Sequence, residues 1–328
     1  LMQRTLCLSL LLSLLVACTP IQSVREPQAT SAPSLGLHID TTQPLGEISP
    51  LVFGSNYGPW VSLRPETLPL ADAAGITLLR YPGGEWGDKN ELKSFQIDQL
   101  VELARRMGAE PYVCVRLPGG SPEKAAALVK YANIDKQYKI KFWSIGNEPS
   151  LYAGSEPGGG WVKDAVWNTE LFNREWRIYA EAMRAVDPSI QLIGPEIHQW
   201  SNNPQIAPRD HNGRDWMTEF LQANGDLVDI VGFHRYPFPN NQNSTPATLA
   251  EMRANGREWN QIIPALRQLI QATTGRDIPI GITEINSHWT SATARETTPD
   301  SFFNAIWWAD VLGHMIQQRA EMVAQFLL

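Results

Sequence analysis

The chain has 328 residues, 43% of them hydrophobic, and a formal charge of −7 with no compensating block of Lys or Arg. That length holds one large domain, and the apolar content excludes disorder as the main state. The acidic balance excludes nucleic acid as a partner, because nothing offsets the repulsion of phosphates.

At the amino terminus Arg4 precedes an apolar run over residues 6–17 that is too short for an ordinary membrane span. The run ends in Leu15-Val16-Ala17-Cys18, which resembles a bacterial lipoprotein signal. The resemblance implies a signal peptide over 1–17 and acylation of Cys18, anchoring the protein to a membrane outside the cytoplasm. A plain secretory signal is the alternative. Residues 18–35, rich in Pro, Ser, Thr and Gln, read as a flexible tether. Within 36–47 a strand-like segment is expected, one that would belong to a β-sandwich domain. Cys7 would leave with the leader and Cys114 lies in an apolar run, so no disulfide is available. Cys114 reads as a small core residue.

From residue 48 onward apolar, β-branched runs alternate with segments of helical spacing. The predicted strands are 51–56, 76–81, 111–117, 141–147, 190–195, 228–234, 278–284 and 323–328. The predicted helices are 66–74, 94–107, 121–132, 170–186, 214–223, 256–273 and 301–320. Such alternation without a second sheet predicts an α/β fold, the (β/α)8 TIM barrel, over 48–328. A doubly wound sheet is disfavoured because Phe53-Gly54-Ser55-Asn56-Tyr57-Gly58 lacks the dinucleotide-binding glycine spacing. The last run reaches the final residue, which predicts a barrel truncated within its eighth strand, with an open seam.

Two of these strands end in a carboxylate: Trp143-Ser144-Ile145-Gly146-Asn147-Glu148-Pro149 and Gly281-Ile282-Thr283-Glu284-Ile285-Asn286. Barrel strands all end on one face, so Glu148 and Glu284 converge there despite their separation in sequence. Paired carboxylates are the equipment for breaking a glycosidic bond. A Glu before Pro also serves to satisfy free N–H groups at a helix start, which is the structural alternative for Glu148.

With its carboxylates after strands four and seven, the sequence resembles the clan A retaining glycoside hydrolases. Ile48-Ser49-Pro50-Leu51-Val52-Phe53-Gly54 and Leu79-Arg80-Tyr81-Pro82-Gly83-Gly84 look like motifs of the α-L-arabinofuranosidases and their β-xylosidase and endo-glucanase relatives. The resemblance implies Glu148 as acid/base, Glu284 as nucleophile and Asn147 as the residue binding the sugar 2-hydroxyl, with no cofactor. It also implies an aromatic floor after strand eight, expected beyond this chain, and a following β-sandwich. The partner would be an extracellular polysaccharide or its oligosaccharides; a carbohydrate-binding lipoprotein without the chemistry is the alternative.

Retention requires one carboxyl ionised while its partner is protonated, and a nearby cation settles which. Arg80 is the candidate to keep Glu284 ionised. His234 and Tyr236, in Phe233-His234-Arg235-Tyr236-Pro237, are candidates to donate to that carboxylate or to the sugar. Asn56, at the end of the first strand, is counted with the substrate-binding groups. Glu196, Glu85 and Asp88 are further strand-end carboxylates, taken as hydrogen-bonders to substrate. Trp86 and Trp289, with Trp60 and Trp161, fall in loops where a flat ring can stack on a sugar face. A metal held by Glu196, His198, His211 and His234 is a rival reading, unsupported by any metal-binding spacing.

Overall fold

The computed structural model describes residues 40–44, 46–61, 63–154, 162, 167–238, 247–289 and 296–328. Residues 46–328 form one compact unit, and 1–45 a separate one, described only at 40–44, where Asp40 accepts from the Thr42 N–H at 3.0 Å. The signal peptide, Cys7, Cys18, the tether and the start of the strand expected within 36–47 lie outside the described residues. The described residues of 36–47 contain no strand.

Eight parallel strands close in chain order: β1 Gly54–Asn56, β2 Leu78–Tyr81, β3 Glu110–Val115, β4 Phe142–Ile145, β5 Gln191–Ile197, β6 Ile230–Arg235, β7 Ile280–Ile285 and β8 Met322–Gln325. The expected barrel is therefore present. The expected open seam is corrected: β8 pairs with β7 and with β1, at Gly54 and Ser55, so the barrel closes. Phe326 follows β8 and meets the Tyr236 ring at 6.3 Å.

Along each strand the pleat sends alternate residues to opposite faces. Leu78, Tyr112, Phe142, Ile193, Ile230 and Met322 fill the barrel interior with Leu51 beneath them. Leu79, Val113, Trp143, Leu192, Val231 and Ile282 face outward into the larger core under the helices. The helices are α1 Leu68–Ala73, α2 Trp86–Lys89, α3 Ser94–Met107, α4 Pro122–Val129, α5 Thr169–Val186, α6 Trp216–Asn224, α7 Leu249–Asn255, α8 Trp259–Thr274 and α9 Phe302–Gln317. Sequence periodicity misses α2 and α7 because each spans two turns or fewer. A signal for α7 is nonetheless present: Thr248 and Glu251 form a reciprocal capping box at its start. No helix among the described residues is long and apolar enough to cross a membrane.

Two strands break the pleat where it matters for function. Pairing between β5 and β6 steps from Pro195–Gly232 to Ile197–Phe233, leaving Glu196 unpaired as a bulge. Between β6 and β7 it steps from Phe233–Ile282 to His234–Glu284, so Thr283 is skipped. Bulges re-aim side chains at barrel rims. Here they direct Glu196 and Thr283 at each other, the Thr283 hydroxyl donating to Glu196 Oε1 at 2.6 Å.

Candidate active site

Above the apolar plug of the barrel, the strand ends supply a buried polar network centred on Arg80. Its guanidinium is fully buried, and all five of its N–H groups have acceptors. Nη1 donates to Asn56 Oδ1 (2.8 Å) and Glu284 Oε2 (3.0 Å). Nη2 donates to Asn147 Oδ1 (2.9 Å) and Glu196 Oε2 (2.7 Å), and Nε to the same Glu196 oxygen (3.1 Å). A buried guanidinium is tolerated only with such complete pairing.

Glu284 is gripped from both sides. Its Oε2 accepts from Arg80 and from the Gly84 N–H (3.2 Å), while Oε1 accepts from the Tyr236 hydroxyl at 2.6 Å. Glu148 is the more open carboxylate, its side chain 19% exposed. It sits just past β4 in a left-handed conformation, φ 50°, a strained position for a non-glycine residue. Its Oε1 lies 3.0 Å from His234 Nδ1. The two carboxylates and that imidazole each offer an atom within 4.8 Å of the others.

Burial disfavours charge on His234, yet the Glu284 charge and hydrogen bonds to Glu148 and Glu196 outweigh it and push the imidazole up to about 9. The same balance acts on Glu148: burial raises it, but the hydrogen bond and charge of His234, with His198 and Arg80 beyond, hold it below the usual carboxylate range. Glu196 is fully buried, which alone would raise its pKa, but Arg80, His234 and Thr283 bring it down to about 2. Gly232 makes room for it, since a Cβ there would stand 2.4 Å from Glu196 Oε1.

Asn56, Arg80, Asn147, Glu148, Glu196, His234, Tyr236 and Glu284 thus meet as the sequence predicts, but not all in their expected roles. Arg80, Asn56 and Glu196 are fully buried beneath the mouth: Arg80 meets Glu284 as expected, whereas Asn56 and Glu196, expected to touch substrate, are engaged by protein groups. Asn56 spends its amide N–H groups on the carbonyls of Thr283 and Ala324, both at 3.1 Å. Glu85 is exposed and paired with Lys89, away from the network. Trp86 packs against Trp60, ring centres 6.4 Å apart, and Trp289 is 42% exposed beyond β7. Trp161 lies outside the described residues. His211 is exposed and does not join Glu196 and His234, so the four-residue metal set is not assembled. The cluster that forms instead is Glu148, His234 and Glu284, in which Arg80 already holds Glu284.

Sequence reading missed Thr283 and the Gly84 N–H, which act through bulge and backbone geometry. It reads Asp88 as a hydrogen-bonder to substrate, but that residue is only 3% exposed. Asp88 is buried and its Oδ2 accepts the Asn147 N–H at 3.0 Å. Burial, against the Tyr152 and Asn147 hydrogen bonds, pushes it up to about 7. Cys114 is buried as expected, its Sγ donating to the Gly146 carbonyl at 3.2 Å.

No family model matches the chain. Among curated proteins, a probable α-L-arabinofuranosidase C of Aspergillus fumigatus is 24% identical over 219 residues, 53% of this chain and 41% of that protein. An exo-α-(1→6)-L-arabinofuranosidase of Bifidobacterium longum is 24% identical over 259 residues, 65% of this chain and 45% of that one. The chain spans less than half the length of these relatives. In structure it superposes on the α-L-arabinofuranosidase of Thermotoga maritima in complex with arabinose with a TM-score of 0.63 at 19% identity, covering 86% of this chain and 65% of that one. A glucanase-xylanase from a metagenome library, CelM2, gives 0.60 at 17% identity, with 85% and 73% covered. The chain is therefore similar in sequence to the arabinofuranosidases over half or more of its length, and its closed (β/α)8 barrel is consistent with that of the clan A glycoside hydrolases.

Proposed function

We propose that this barrel is the catalytic domain of a retaining glycoside hydrolase acting on oligo- or polysaccharides, with terminal α-L-arabinofuranosyl groups the first candidates. The observation that carries the reading is the placement of Glu148 and Glu284, with carboxylate oxygens within 4.8 Å of each other at one barrel mouth. Double displacement calls for carboxyl groups about 5–5.5 Å apart, whereas inversion needs room for a water between them.

In this reading Glu284 attacks the anomeric carbon, and the glycosidic bond breaks as a glycosyl ester forms on it. Arg80, the Gly84 N–H and the Tyr236 hydroxyl hold and aim the attacking carboxylate. Glu148 gives a proton to the departing oxygen, then takes one from the water that cleaves the ester. Across their 3.0 Å contact His234 and Glu148 titrate as a pair, and the proton for the leaving group is carried by that pair. The Asn147 carboxamide oxygen is taken by Arg80, which leaves its N–H groups for a sugar hydroxyl.

The similarity to arabinofuranosidases supports the sugar class, and the Leu15-Val16-Ala17-Cys18 sequence supports an anchored, extracytoplasmic enzyme lipidated at Cys18. Turnover of a panel of aryl glycosides by the full-length protein tests the reading. Hydrolysis lost in both Glu148→Ala and Glu284→Ala supports it; undiminished sugar affinity with no turnover in the parent protein points to a binding protein instead.

A further inference from the structure

We propose that Glu196 is the positioning residue of this site: locked by Arg80 and Thr283, its carboxylate holds His234 as a two-donor imidazolium that fixes the Glu148 carboxyl in one orientation. The proposal takes Glu148 as the acid/base of the reading above.

Three observations converge on Glu196. First, its carboxylate has no access to solvent and every oxygen is engaged: Oε1 by Thr283 at 2.6 Å, Oε2 by Arg80 at 2.7 and 3.1 Å and by His234 Nε2 at 3.4 Å. Such a carboxylate cannot touch a sugar, yet its burial is sustained only by this pairing. Second, it reaches Glu148 by two routes. Its own carbonyl accepts the Glu148 N–H at 2.9 Å, and its side chain meets the far nitrogen of the ring whose Nδ1 faces Glu148 Oε1 at 3.0 Å. Third, the backbone is shaped for it: Glu196 is a left-handed bulge, φ 59°, beside a left-handed Glu148, and Gly232 leaves room for its carboxylate. Strained positions joined by one hydrogen bond persist only where the surroundings over-determine them.

The consequence is electrostatic. His234 is faced by Glu148 from the end of β4, Glu196 from β5, Glu284 from β7 and Arg80 from β2. Glu148 is faced also by His198, and Tyr236 stands beside both Glu148 and Glu284; Tyr112 and Cys114 lie toward Arg80 and Glu196. Three carboxylates around one guanidinium leave room for a second cation, and the imidazole between Glu148 and Glu196 is the group placed to be it. With both ring N–H groups donating, His234 holds Oε1 of Glu148 and stores the one proton of the pair: as the glycosidic bond breaks, that proton passes from Nδ1 to the Glu148 carboxylate and on to the leaving oxygen, and the ring is left neutral with its Nε2–H still on Glu196. Without the Glu196 charge the ring gives up its proton at lower pH and Glu148 loses its fixed donor.

The first measurement needs no variant: ring nitrogen NMR of the full-length protein, with His234 assigned from a His234→Gln sample. Both ring nitrogens protonated at pH 7 are expected, and a single neutral tautomer overturns the proposal. In Glu196→Gln, which keeps the size and can accept from Arg80 through its one oxygen while its amide N–H turns to the Thr283 hydroxyl, the His234 titration should fall by at least one pH unit. On whichever aryl glycoside with a poor leaving group the enzyme cleaves, kcat/KM should drop at least tenfold at pH 8 but less than threefold at pH 6. Equal losses at both pH values, or an unmoved His234 titration, overturn it. If the parent protein cleaves no glycoside, the functional reading fails while the NMR result still decides the role of Glu196.

Discussion

Arg80 and Glu284, 204 positions apart in the chain, meet in the barrel mouth at 3.0 Å with neither side chain more than 5% exposed. The guanidinium that holds the nucleophile candidate also holds Glu196, so one cation pairs with two buried carboxylates. Removing it strands both. Arg80→Met is expected to cost on the order of 3–5 kcal/mol of stability, read as a lower denaturant midpoint with little change in slope. A loss below about 1 kcal/mol would mean that solvent reaches this network.

Replacement of Glu284 by Ala should lower turnover roughly a thousandfold or more, because it removes the covalent route. Glu148→Ala should slow breakdown of the glycosyl ester more than its formation with an activated aryl glycoside, and azide should restore the rate with a glycosyl azide as product. No azide product means that Glu148 is not the acid/base.

Tyr236→Phe deletes the hydroxyl that donates to Glu284 Oε1 at 2.6 Å. A hydrogen bond to a charged group contributes about 1.5–3 kcal/mol, so kcat should fall roughly 10- to 100-fold. Steady-state kinetics that put the loss in KM alone would move Tyr236 from nucleophile support to ground-state sugar binding.

The first-formed product should keep the anomeric configuration of the substrate, given carboxylate oxygens within 4.8 Å. Proton NMR during the first minutes of hydrolysis reads this directly, and an inverted product rules out Glu284 as nucleophile.

Stability should peak in mildly acid solution. Glu196 is lowered from 4.5 to about 2, so its contribution is complete above 4.5 and is lost as pH falls through 2. His234 is raised from 6.5 to about 9, so its contribution is complete below 6.5 and is lost as pH rises through 9. Asp88 is raised from 3.8 to about 7, the folded state binds the extra proton, and stability declines between those values as pH rises. Asp88→Asn should therefore be more stable than the parent at pH 8, with the advantage gone near pH 4. Chemical denaturation of the two proteins at both pH values checks the sign.

What the sequence determined by itself is the part governed by local pattern. Apolar runs bounded by Gly and Pro mark eight strands within a few residues of their observed ends, and α3 matches its expected span of 94–107. Because all strands of a barrel end on one face, Glu148, Glu284, Arg80 and His234 could be placed together from order alone. Tertiary structure decided what depends on register. A period-two pattern cannot reveal that Glu196 and Thr283 are bulged residues, since a bulge is defined by the partner strand. Nor can it tell a carboxylate that touches substrate from one spent on Arg80, Thr283 and His234, because burial is settled by every strand end at once. The seam followed the same rule: the run over 323–328 does not show its partners, and only the fold reveals that Met322–Gln325 pairs with β7 and, at Gly54 and Ser55, with β1.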